Sequence, residues 1–87
     1  MSEKSLLTFP CEFPVKIMGR ASEDFEADVV AIVRKHAPDL SEAAISNRPS
    51  GKGNYIAITV TINATSKEQL DNIYLELNAH NAVVMTL

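Results

Sequence analysis

At 87 residues, 46% of them hydrophobic and 22% charged, the chain is long enough to bury one core and too short for two. Its 8 Lys and Arg against 11 Asp and Glu leave a net charge of -3, which argues against binding nucleic acid or an anionic membrane through the whole-molecule field. A single cysteine, Cys11, excludes an internal disulfide, and with no cationic-then-apolar leader and no long apolar run the expectation is a soluble, cytoplasmic protein.

Residues 1–8 read as a flexible N-terminal tail ahead of one domain over residues 9–87. Pro10 and Pro14 argue against regular pairing across residues 6–14 and predict an extended lead-in. The first strand is expected over Phe13–Met18, where Phe13, Val15 and Ile17 alternate with Lys16 and Met18 until Gly19 breaks the run. A helix then starts from Ser22, an N-cap residue type followed by Glu23 and Asp24, whose carboxylates complement the positive end of the helix. Phe25, Val29, Ile32, Val33 and Ala37 form its apolar stripe, and Pro38 ends it.

Ala43–Asn47 reads as a short, weakly apolar second strand, and Pro49 with Ser50-Gly51-Lys52-Gly53-Asn54 makes the turn into the third. That third strand, Tyr55–Ile62, has the cleanest period-two pattern in the chain. Ile56, Ile58, Val60 and Ile62 take one face and Tyr55, Ala57, Thr59 and Thr61 the other. Ser66-x-x-Gln69 is a capping box that starts a second helix, with Leu70, Ile73, Tyr74 and Leu77 as its stripe. The helix ends over Asn78–Asn81, where Asn81 suits a left-handed cap, and Ala82–Leu87 is the last strand.

Strand, helix, strand, strand, helix, strand is the order of the ferredoxin-like α+β sandwich, a four-stranded antiparallel sheet with two helices on one face. The first and third strands become central, and the second and fourth become edges.

Such a sheet leaves one face without helices. Met18, Ala57, Thr59 and Thr61, with Val84 and Met85 of the last strand, make that face mildly apolar. The last strand carries no charge or proline to blunt its edge, so a homodimer or a protein partner is expected there. A second candidate is Gly19, Arg20 and Ser22, at the approach to the first helix, where free N–H groups and the helix dipole favour an anion. Acylphosphatases share this topology and hold phosphate with an arginine in that loop and orient water with an asparagine, so Arg20 with Asn63 defines the alternative, a small acylphosphatase-like hydrolase.

Other motifs carry less. Gly51-Lys52-Gly53 leads into a strand rather than a helix and so is no P-loop. His36 and His80 lack a second ligand at i+3 or i+4, Cys11 lacks a base, and there is no C-x-x-C, so no metal or cofactor is expected. RNA-recognition domains of this topology stack bases on central-strand aromatics, whereas this face offers Tyr55 alone and no basic flank.

Phe9-Pro10 before Phe13-Pro14, the run Lys16-Ile17-Met18-Gly19, His36-Ala37-Pro38, and above all Lys52-Gly53-Asn54-Tyr55 leading into Thr61-Ile62-Asn63-Ala64-Thr65 resemble the YbeD family of uncharacterised small bacterial proteins, over nearly the whole chain. The resemblance implies a fold similar to ACT regulatory domains, which bind small-molecule effectors such as amino acids at subunit interfaces. It would make Gly19-Arg20-Ala21-Ser22 the ligand-facing loop, although the Asp-Arg-Pro-Gly-like turn usual there is missing. The leading expectation is a non-enzymatic regulatory or interaction domain.

Overall fold

A computed structural model describes residues 10–49 and 53–86. Its elements are β1 (Cys11–Arg20), α1 (Phe25–His36), a 3₁₀ turn (Glu42–Ala44), β2 (Ile45–Pro49), β3 (Tyr55–Ala64), α2 (Lys67–Ala79) and β4 (Val83–Thr86). The four strands form one antiparallel sheet in the order β2-β3-β1-β4.

The centre of the sheet is the β1–β3 pair, which runs in register from Cys11 opposite Ala64 to Arg20 opposite Tyr55. Period-two alternation then divides each strand between two environments. Val15 and Ile17 of β1 face the helices with Ile58, Val60, Ile62 and Ala64 of β3, and all six are buried. Phe25, Val29 and Val33 of α1 and Leu70, Ile73 and Leu77 of α2 close the core from the other side. Each fully buried aliphatic or aromatic side chain among them contributes about 1.5–3 kcal/mol relative to exposure. Ile56, at the start of β3, is only half-buried, and Ile32 lies on the flank of α1 rather than in its buried stripe.

Three sequence expectations need correction. The lead-in across residues 6–14 is in part strand: β1 begins at Cys11, and Pro14 pairs opposite Thr61. The proline is tolerated because β4 meets β1 only from Ile17 to Gly19, so at Pro14 no described strand lies on the far side of β1 and a missing N–H there breaks no ladder among the described residues. Ser22 does not cap α1. Asp24 takes the N-cap position without a side-chain bond, and Ser22 instead accepts the Phe25 N–H on its carbonyl at 3.3 Å. The second strand sits two residues later than expected, because Glu42–Ala44 close a 3₁₀ turn before Ile45 enters the sheet.

The second helix begins as its motif predicts. Gln69 donates its backbone N–H to Ser66 Oγ at 3.0 Å, and Gln69 Oε1 accepts the Thr65 N–H at 2.8 Å. The same glutamine donates Nε2 to the His36 carbonyl at 2.7 Å, so the residue that caps α2 also ties down the end of α1. His36 and Lys35 then meet Glu76 across the helix pair, at 3.2 and 2.5 Å. The Lys35 hydrogen bond, with a smaller contribution from His36, holds the Glu76 carboxyl below the usual glutamate range. Burial pushes the Tyr74 hydroxyl the other way, upward. The predicted tail over residues 1–8, most of the glycine-rich turn and Leu87 lie outside the described residues.

Candidate functional site

Gly19, Arg20 and Ser22 make up the candidate site expected at the approach to α1. Gly19 and Arg20 belong to β1 and not to a loop. The Arg20 N–H donates to the Ala82 carbonyl at 2.9 Å and the Ala21 N–H to the Asn54 carbonyl at 3.0 Å, so these two amides are already taken within the fold. Gly19 is buried beneath the Phe25 ring. A Cβ there would overlap that ring and come within 2.5 Å of the Ala82 carbonyl oxygen, so this glycine answers to packing. His80 completes the plug: its ring meets Phe25 edge-on at 5.8 Å, Nδ1 accepts the Ala82 N–H at 3.0 Å, and Nε2 faces Asp28 at 3.0 Å. An unprotonated Nδ1 is required for the Ala82 bond, which places the proton of neutral His80 on Nε2, toward the carboxylate.

Arg20 and Asn63 are not brought together. Arg20 lies opposite Tyr55 at one end of the β1–β3 pair and Asn63 opposite Glu12 at the other, eight residues along β1, or roughly 27 Å. Asn63 shares its end of the sheet with Glu12 and Asp39, carboxylates of the wrong sign for an acyl phosphate. No group of three or more His, Cys, Asp or Glu side chains among the described residues is placed to hold a metal ion.

The helix-free sheet face holds the other expected residues. Lys16 pairs with Thr59 and Met18 with Ala57 in the centre, and Met85 of β4 lies opposite Met18. Met18 is 42% exposed, Met85 48% and Val84 56%. Between Met18 and Gly19 the β1–β4 register slips, with Met18 opposite Met85 and Gly19 opposite Val83, so Val84 is an extra, bulged residue on the edge strand. Two adjacent recesses share Met18 and Ala57. One of about 100 Å³ extends to Lys16, Thr59 and Met85, and one of about 280 Å³ to Arg48, Pro49 and Tyr55. Thr61 continues the face toward Asn63.

Sequence reasoning placed Met18, Thr59, Thr61 and Met85 on this surface but left out Arg48 and Pro49. Reading the second strand as Ala43–Asn47 put both outside the sheet. With β2 at Ile45–Pro49, Arg48 lies opposite Ala57 and Pro49 opposite Ile56. Their signal was the alternation carried back from Ala57 across the hairpin, which needed the register to be known.

No helix among the described residues is long and apolar enough to cross a membrane. The architecture is that of an ACT-like, ferredoxin-like α+β domain whose described helices leave one sheet face uncovered. Its fold matches a small Helicobacter pylori protein solved in solution with a TM-score of 0.75 at 12% identity, covering 99% of this chain and 90% of that one. It also matches the ACT domain from the GTP pyrophosphokinase of Chlorobium tepidum with a TM-score of 0.67 at 13% identity, covering 87% and 84%. Residues 4–87 match the family described as Protein of unknown function (DUF493), and the chain belongs to that family. UPF0250 proteins of Chromobacterium violaceum and Nitrosomonas europaea are 48% and 44% identical to it, over 98% of this chain and 96% of the first, and over the full length of the second. The resemblance to the YbeD family drawn from the Lys-Gly-Asn-Tyr and Ile-Asn-Ala-Thr segments is borne out.

Proposed function

We propose that this chain is a non-enzymatic, cytoplasmic interaction domain that receives a protein partner across its helix-free sheet face, through Met18, Thr59, Thr61, Val84 and Met85. The observation that carries this reading is the exposure of Met18, Met85 and Val84 around contiguous apolar recesses, on a face that no element among the described residues covers. The competing small-molecule reading, with an effector at Gly19, Arg20 and Ser22, loses support because the Arg20 and Ala21 amides are bonded within the fold. The hydrolase reading loses support from the separation of Arg20 and Asn63.

A photo-cross-linking residue in place of Thr59, expressed in the parent cell, tests the proposal. It should trap one defined protein, or a second copy of this chain, and the same residue in place of Lys67 on α2 should not. Adding M18D and M85D should abolish the adduct while leaving the fold intact. Equal trapping from both positions, or acyl phosphate hydrolysis lost on Arg20→Ala, would overturn it.

A further inference from the structure

Charge is divided between the two layers of this molecule. The helices and the turns around them, residues 21–44 and 65–82, carry nine carboxylates against the three bases Arg34, Lys35 and Lys67. Among the described residues, the outer sheet face carries Lys16, Arg20 and Arg48 against the single carboxylate Glu12. A chain of net charge -3 thus presents one net-positive surface, and it is the surface that is also apolar.

The three cations frame the exposed methionines. Lys16 and Arg20 flank Met18 two residues away on either side in β1, roughly 7 Å along the strand, and Arg48 lies beyond Ala57 on β2. Lys16 and Arg48 line the two recesses themselves. No ion pair among the described residues engages any of the three, whereas on the helix layer Lys35 is paired with Glu76 and Lys67 with Asp71. Glu12 stands four residues beyond Lys16, about 13 Å along the strand, too far for direct contact and beyond a Debye length at physiological salt. Lys16 and Arg20 are likewise four residues apart, so at physiological salt each cation acts singly, and an anionic segment lying across the patch meets all three.

Building on the docking reading above, we infer that the partner is acidic and apolar at once: a protein segment whose Leu, Ile, Phe or Met side chains enter the recesses around Met18 and Ala57 while flanking Asp or Glu residues meet Lys16, Arg20 and Arg48. Apolar burial supplies the affinity, and charge supplies the association rate and the discrimination. The carboxylate-rich helix layer repels the same segment, so the field of the whole molecule turns it toward the sheet. Lys16, Arg20 and Arg48 give this face the basic flank that the sequence pattern did not reveal, but RNA is the poorer fit, since the cations surround methionines and not a pair of stacking aromatics.

The test is a titration of the isotope-labelled full chain with short synthetic peptides that share their Leu and Phe positions and carry Glu, Gln or Lys between them, followed by amide resonances. The Glu peptide should shift Met18, Ala57, Thr59 and Met85 and bind about ten-fold more tightly than the Lys peptide at low salt, with the gap closing as salt rises. The double variant R20E/R48E, at exposed positions, should keep its unfolding transition and invert that preference. Glu, Gln and Lys peptides binding alike at those residues would overturn the acidic-partner inference while sparing the docking face. If no peptide moved those residues, or if the shifts fell in the groove of Glu26, Val30 and Glu42 beside α1, both readings would fail. An oligouridylate that displaced the Glu peptide there would replace the protein partner with RNA.

Discussion

Ile58 and Thr59 are chain neighbours in β3, yet they stand in different media. Ile58 is fully buried beneath the helices, whereas Thr59 looks out from the bare face across from Lys16. On the inner face Ile58, Val60 and Ile62 are held by the packing of two helices, so composition there answers to volume and to the exclusion of charge. On the outer face Ala57, Thr59 and Thr61 are smaller and partly wet, and cations stand among exposed methionines. The difference teaches where to look for function: the inner face is explained by stability alone, and the outer face is not. The two edges repeat the contrast. β2 is blunted by Arg48 and Pro49, while β4, Val83–Thr86, is uncharged.

The strongest test of the two-face assignment is Ile58→Asp. A carboxylate under both helices has no partner, costs at least several kcal/mol, and removes most of the roughly 5–15 kcal/mol that holds a domain of this kind together. Loss of the cooperative unfolding transition by circular dichroism is expected. Thr59→Asp should stay within about 0.5 kcal/mol of the parent. Similar behaviour of the two variants would overturn the register of β3.

Gly19→Ala comes next. The added methyl must displace the Phe25 ring or the Ala82 backbone, an overpacking cost of about 1–3 kcal/mol in denaturant unfolding. A Phe25→Leu background should recover part of that loss, and failure to recover it would point to backbone strain instead. Ser66→Ala should cost about 1 kcal/mol by removing the acceptor for the Gln69 N–H. Its effect tells how firmly α2 is anchored over the inner face.

The smallest effect belongs to Glu76. Its carboxyl titrates lower when folded than when unfolded, because Lys35 and His36 hydrogen-bond the charged form. The resulting stabilisation is complete above the ordinary glutamate value of about 4.3 and is lost as pH falls through the depressed folded value. Thermal melts of wild type and Glu76→Gln should therefore converge on acidification and separate slightly toward neutral pH. High salt should shrink the separation, since the pair is near the surface. A gap that widened below pH 4 would reverse the assignment.

Much of the fold could be read from local pattern. Alternation over Tyr55–Ile62 located β3 and its two faces, because a half-buried strand must repeat every two residues. Ser66 and Gln69 marked the start of α2, because a helix leaves N–H groups that only nearby side chains can satisfy. Where two local signals competed, the residues alone were a poor guide. Ser22 and Asp24 are both cap types, yet Asp24 takes the N-cap position and makes no side-chain cap bond. Pro14 reads as a strand breaker until the short reach of β4 shows that its missing donor faces a side of β1 that β4 does not reach.

The candidate site divides along the same line. The sequence alone determined that Met18, Thr59 and Thr61 share a surface and that Ile58, Val60 and Ile62 share the opposite one, since both follow from the pleat of a single chain segment. Only the tertiary structure decided that Arg48 crosses from the hairpin to stand beside Ala57, that the Arg20 and Ala21 amides are spent on Ala82 and Asn54, and that Asn63 lies a strand's length from Arg20. Those facts depend on inter-strand register, which is set by pairing between segments tens of residues apart and leaves no mark in the periodicity of either one.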